Sequence, residues 1–149
     1  MRKIVTILAA IFCMATQSVA SWAQKVESDP LVRTITMNTG LPSNAVRNIV
    51  QDDNGFIWFG TDNGLCRYDG YSVQTFYNPA MSFDQYVSAL EDYDEGLLVG
   101  TVKGAYLFDF ATEQFKKLDD KINSTVYHFS LDGDRNVWIS TAEQGLFRY

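Results

Sequence analysis

The chain has 149 residues, a net charge of −6, 46% apolar and 14% aromatic side chains, so it can build the core of one modest domain and is not expected to be disordered. Arg2 and Lys3 are the only charges in the first 23 residues, and the remainder carries ten basic against eighteen acidic side chains, a net of −8. A surface that acidic repels phosphate backbones, which excludes nucleic acid as an expected partner.

Residues 1–23 read as a secretory signal peptide. Arg2 and Lys3 give the positive start, Ile4 to Ala15 the apolar run, and Ser18-Val19-Ala20 or Ser21-Trp22-Ala23 the small-residue cleavage site. The apolar run is shorter than the ~20 residues of a spanning helix, so cleavage is expected over anchoring, and the mature chain is expected to be exported to the periplasm. Cys66 is then the only thiol, no intrachain disulfide can form, and its apolar surroundings mark it as a small core residue. Residues 24–40 form a leader: Gln24 to Pro30 is polar, and the alternation from Leu31 to Met37 predicts a lone strand.

From residue 41 the chain repeats itself. Thr61, Thr101 and Thr141 stand forty positions apart, as do Trp58, Leu98 and Trp138, and Ile57, Leu97 and Val137. A fixed period of that size marks a repeat architecture. In the first copy, Asn54-Gly55, Asn63-Gly64 and Asp69-Gly70 are hairpin turn pairs. They divide it into strands at about Val46 to Gln51, Phe56 to Thr61, Leu65 to Tyr68 and Val73 to Tyr77. Four antiparallel strands in about forty residues describe one blade of a β-propeller. The second strand is apolar on both faces, as a sheet covered on both sides requires. Gly60, Gly100 and Ser140 share one repeat position, where a larger side chain would clash as blades converge. Gly64, Gly104 and Gly145 share another, at the turn after the threonine.

The predicted fold is therefore all-β, an incomplete propeller of about three four-stranded antiparallel blades: residues 41–80, 81–121 and a partial third at 122–149 that stops in its third strand. Blades bury their faces on one another, and three incomplete ones cannot close a ring. The expected partners are accordingly further blades of a longer parent chain, or other copies of this one.

The sequence shows no phosphate loop, dinucleotide fingerprint or paired His/Cys metal spacing, so no cofactor, metal or catalytic residue is expected. His128, the only histidine, falls in a predicted inner strand and reads as structural or surface. The clusters Asp52-Asp53-Asn54, Asp92-Tyr93-Asp94-Glu95 and Asp132-Gly133-Asp134 lack an EF-hand ligand series and lie where hairpins turn, which favours turn chemistry over calcium. Propeller geometry puts the start of each first strand and the end of each second strand on one rim. The polar residues there are Ser43, Asn44, Asp62, Asn63, Gln85, Tyr86, Lys103, Thr125, Glu143 and Gln144. Asn44, Asp62, Asn63, Gln85, Tyr86, Lys103, Glu143 and Gln144 are the candidate contacts for an oligosaccharide or other polar ligand, with Tyr86 available for stacking.

The run Gly40-Leu41-Pro42-Ser43-Asn44-Ala45-Val46-Arg47-Asn48-Ile49-Val50-Gln51-Asp52, followed by Gly55-Phe56-Ile57-Trp58-Phe59-Gly60-Thr61 and Gly64-Leu65-Cys66-Arg67-Tyr68-Asp69-Gly70-Tyr71, resembles the opening of a two-component regulator propeller. The resemblance extends over Leu31 to Tyr149, with Leu98 in place of the tryptophan, Ala105 in place of the leucine, and Gln144 inserted. It implies the periplasmic half of a bacterial hybrid two-component sensor: propellers, a β-sandwich, a membrane helix, a histidine kinase core, a receiver and a DNA-binding module, commonly detecting glycan fragments. It also implies that Leu31 to Met37 closes the ring by pairing into the last blade. Two rivals stand beside this reading. One is an exported propeller enzyme, such as a lyase, which would need catalytic groups near the axis. The other is a short scaffold that assembles as an oligomer.

Overall fold

The computed structural model describes residues 32–82, 84–94 and 96–149, so the signal peptide, its cleavage site and the leader up to Leu31 lie outside the described residues. Three antiparallel sheets follow one another along the chain. The first is β1 (Val46–Gln51), β2 (Ile57–Thr61), β3 (Gly64–Tyr68) and β4 (Val73–Phe76); the second is β5 (Val87–Tyr93), β6 (Gly96–Thr101), β7 (Gly104–Asp109) and β8 (Gln114–Lys117). The third holds β9 (Val126–Leu131), β10 (Val137–Thr141) and β11 (Leu146–Arg148). Each strand pairs with its neighbour in sequence, as short hairpins dictate. The all-β, bladed architecture expected from the repeat is present, and the only helical turns among the described residues are 3-10 turns at Met37–Thr39 and Pro79–Met81.

The sheets stack through their first strands. Gly60 on β2 faces the second sheet so closely that an added Cβ would lie 2.8 Å from Val87 Cγ1 and 3.3 Å from Leu90 Cδ1. At Gly100 it would lie 2.9 Å from Val126 Cγ1 and 2.9 Å from Ala89 Cβ. The repeated small residue is thus a blade-to-blade contact, because at interior packing density no room remains for a methyl group. The same contact explains a gradient along the repeat: Ile49 is 66% exposed, whereas its counterparts Leu90 and Phe129, each with a blade in front, are 7% and 1% exposed.

Between the first two sheets the core gathers Trp58, Leu65, Phe76, Met81, Val87, Leu90, Leu97, Val99, Tyr106 and Phe108. Between the second and third it gathers Ala89, Leu98, Ala105, Ile122, Val126, Phe129, Val137 and Ile139. Met81 and Ile122 come from the linkers that lead into the second and third sheets, and Leu41 holds the same place before the first, packed on Phe59 and Cys66. These three buried linker residues belong to the repeat, but their loop context hides them from a reading based on strand periodicity. Cys66 is buried, as expected, and desolvation pushes its thiol up to about 11.

The predicted lone strand at Leu31 to Met37 is corrected. Residues 32–36 carry no ladder, and Met37–Thr39 turns tightly. The turn is held locally: Thr36 N–H donates to Thr39 Oγ1 at 2.7 Å, Met37 N–H to Asn44 Oδ1 at 2.8 Å, and Leu41 N–H to the Thr36 carbonyl at 3.1 Å. Alternating β-branched residues form a strand only beside a partner edge. Here Ile35 instead lies against the Leu41–Phe59–Cys66 cluster, covering part of the first sheet's free face.

A candidate ligand-binding rim

One edge of the three sheets is defined by a repeated lock. Thr61, Thr101 and Thr141 are buried, and each hydroxyl donates to the carbonyl of the turn glycine: Gly64 at 2.8 Å, Gly104 at 2.9 Å and Gly145 at 2.8 Å. Each Oγ1 also accepts a loop N–H at 3.1 Å, from Asn63, Lys103 and Gln144 respectively. The glycines sit at φ +121, +117 and +78, a region β-carbon-bearing residues avoid. Opposite these turns each first strand is irregular, with register shifts between Val46 and Asn48, between Val87 and Ala89, and opposite Ser140–Thr141. A bulge of this kind re-aims one side chain out of the ladder. In the first sheet that side chain is Arg47.

Arg47 was absent from the residues read off the sequence as contacts, yet it organises the rim. Its Nε and Nη2 donate to Asp62 Oδ1 and Oδ2 at 2.7 and 3.1 Å, and its guanidinium lies 5.7 Å from the centre of the Tyr86 ring. Asp62 and Tyr86 are thereby brought together across the junction of the first two sheets. The hydrogen bond to Asp62 raises the Arg47 pKa, and the bond from Arg47 lowers that of Asp62. Both groups remain solvent-accessible, so this fork is a charged, hydroxyl-matching pair beside an aromatic face rather than a buried strut.

The other predicted contacts divide by how their side chains are used. Gln85 is spent internally, accepting from Asn78 N–H at 2.7 Å and donating to the Asn78 and Ser82 carbonyls at 3.1 Å. Gln144 is spent too, accepting from Asn123 N–H and donating to the Lys121 carbonyl, both at 2.9 Å. Asn44 is exposed but caps Met37. Asn63, Lys103 and Glu143 are exposed. Sequence position alone could not separate these roles, because a loop amide is equally able to bind its own backbone or a ligand.

At the opposite edge the first and third aspartate clusters are turn chemistry. Asp52 accepts from Asn54 and Phe56 N–H at 2.9 Å and from the Trp58 indole at 2.8 Å. Asp132 repeats the pattern, with Asp134 and Asn136 N–H at 3.0 and 2.9 Å and the Trp138 indole at 3.0 Å. In the second sheet Leu98 replaces the tryptophan and Tyr93 takes the aspartate's place opposite Gly96, so donor and acceptor are lost together and neither is stranded. Asp92, one position earlier, has its carboxyl pushed up by burial and by the neighbouring Asp53 and Asp52. Among the described residues no group of three or more potential ligands is arranged to hold a metal ion.

Asp132 also supplies a pH test. Hydrogen bonds from Asn136 and then Trp138 lower its pKa to about 2, against about 4 for a free aspartate. A carboxyl depressed in the folded state stabilises above its unfolded pKa, and that contribution is lost as pH falls through the folded value. Urea midpoints measured across this window should fall between about pH 4 and pH 2 more steeply for the native chain than for Asp132→Asn.

Residues 40–63 match the family described as two component regulator propeller. No curated protein matches the chain. Among solved structures, the chain is similar to the extracellular domain assigned to a one component system of B. thetaiotaomicron, with 26% identity, a TM-score of 0.70, and coverage of 78% of this chain and 16% of that one. It is also similar to the extracellular domain assigned to a hybrid two component system of the same organism, with 22% identity, a TM-score of 0.68, and coverage of 78% and 18%. The chain therefore spans less than a fifth of the length of either.

Proposed function

We propose that this chain, which carries the two component regulator propeller repeat over residues 40–63, is part of an extracellular ligand-sensing propeller of a hybrid two-component signalling protein, exported to the periplasm, with glycan fragments as ligand. The observation that carries the reading is the match of three stacked sheets, over 78% of the chain, to the extracellular domain of a prokaryotic signalling protein. The chemistry of the rim residues favours a sugar as ligand. The Arg47–Asp62 fork offers paired donors and acceptors for neighbouring hydroxyls, and Tyr86 offers an apolar ring face. Among the described residues no helix is long and apolar enough to cross a membrane.

The test is calorimetry of the complete extracellular region against a panel of oligosaccharides. Arg47→Ala and Tyr86→Ala should each weaken binding of the responsive glycan by about tenfold or more, or ~1.4 kcal/mol, with the fold unchanged by circular dichroism. Binding that ignores both substitutions would move the site off this rim. A region that binds no glycan but does bind another small polar molecule would overturn the ligand class.

A further inference from the structure

The linker from β4 to β5 crosses the rim between the first two sheets, and one of its side chains has a donor left over. Asn78 is only 5% exposed. Its Oδ1 accepts from Ala80 N–H at 3.0 Å, which fixes the orientation of the amide, since a flipped amide would set two donors against each other. The other end, Nδ2, is buried with no partner among the described residues. The backbone of Asn78 is clamped by Gln85 through both its N–H and its carbonyl, and swinging the side chain out would give up its bond from Ala80 N–H. A buried amide donor without an acceptor is costly, and native structures rarely leave one.

Beside Asn78 lies a narrow cavity lined by Leu65, Phe76, Met81, Gln85, Val99 and Thr101, among others. It has room for one water and too little for an organic ligand. Two lining groups retain a lone pair. Among the described residues Gln85 Oε1 accepts one bond, and Thr101 Oγ1 donates one and accepts one. A water here therefore has one donor and two acceptors to meet, the number of partners that buried waters usually have.

We propose that a single structural water occupies this cavity, accepting from Asn78 Nδ2 and donating to the Gln85 and Thr101 oxygens, and that it joins the linker to the second sheet. A high-resolution crystal structure of the full chain should show ordered density roughly 2.7–3.2 Å from Asn78 Nδ2. In solution, the Asn78 side-chain amide protons should give a rotating-frame Overhauser peak at the water frequency. A protein acceptor within hydrogen-bond reach of Nδ2, or a dry cavity with no such peak, would overturn the proposal.

Discussion

Replacing Gly104 by alanine should destabilise the chain by roughly 3 kcal/mol or more, the largest loss expected from adding a single methyl group. Two causes combine. The residue sits at φ +117, and a Cβ would lie 2.0 Å from the Ile122 carbonyl oxygen, which is backbone and belongs to the linker entering the third sheet. A flexible side chain can move aside, but a linker carbonyl moves only if the junction between blades opens. The repeat contains its own controls. Gly145 holds the equivalent turn at φ +78 with nothing within 4 Å, so Gly145→Ala isolates the backbone strain at about 1–2 kcal/mol. Gly133 has neither a clash nor a positive φ, and Gly133→Ala should be close to neutral. Urea midpoints of the three variants should fall in that order. Equal losses at Gly104 and Gly145 would mean that the linker does not seat against the turn.

The same glycines show what the sequence makes legible. A turn that needs φ above zero and a strand covered on both faces are local demands, and they repeat at a fixed spacing. The strands of the first sheet, expected at about Val46 to Gln51, Phe56 to Thr61, Leu65 to Tyr68 and Val73 to Tyr77, fall within one residue of those observed. The Gly60 and Gly100 contacts were legible for the same reason. Leu31 to Met37 misled because alternation reports a preference, while a strand requires a partner edge, and no strand of the described residues pairs with it. The rim was legible as a place but not as a set of contacts. Gln85 and Gln144 are committed to loop backbone, while Arg47 becomes available because a bulge displaces it from the ladder. The Gln144 partners stand more than twenty residues away and the bulge depends on pairing with β2, so neither is set by residues near in sequence. One signal was present and unused: Leu41, Met81 and Ile122 recur at the repeat spacing inside loops, where a lone apolar residue is easily passed over.

Trp58→Ala should cost about 3–5 kcal/mol, the range for emptying a large buried aromatic site. Trp58 is 1% exposed, and its ring lies 5.6 Å from Phe76 in its own sheet and 5.4 and 5.3 Å from Phe108 and Phe110 in the next. Arg67 lies over the group, 5.5 Å from the Trp58 ring, and reaches Glu113 in the turn between β7 and β8 at 3.4 Å. Removing the indole therefore leaves a cavity at the junction of two sheets, and neither sheet can collapse into it without shifting the glycine contact at Gly60. Trp138 repeats the indole-to-aspartate bond but is only half-buried, so Trp138→Ala should cost less. The hydrogen bond can be separated from the packing. Trp58→Phe keeps most of the ring but strips Asp52 of its indole donor, at about 1–3 kcal/mol, and Asp52→Leu strands the indole N–H together with the Asn54 and Phe56 N–H groups held by the same carboxylate, so it should cost more. Together they remove both partners, as Leu98 and Tyr93 do in the second sheet, so the double variant should lose less than the sum of the single losses. Additive losses would show that the indole–carboxylate bond contributes nothing of its own, leaving aromatic packing as the whole of what Trp58 supplies.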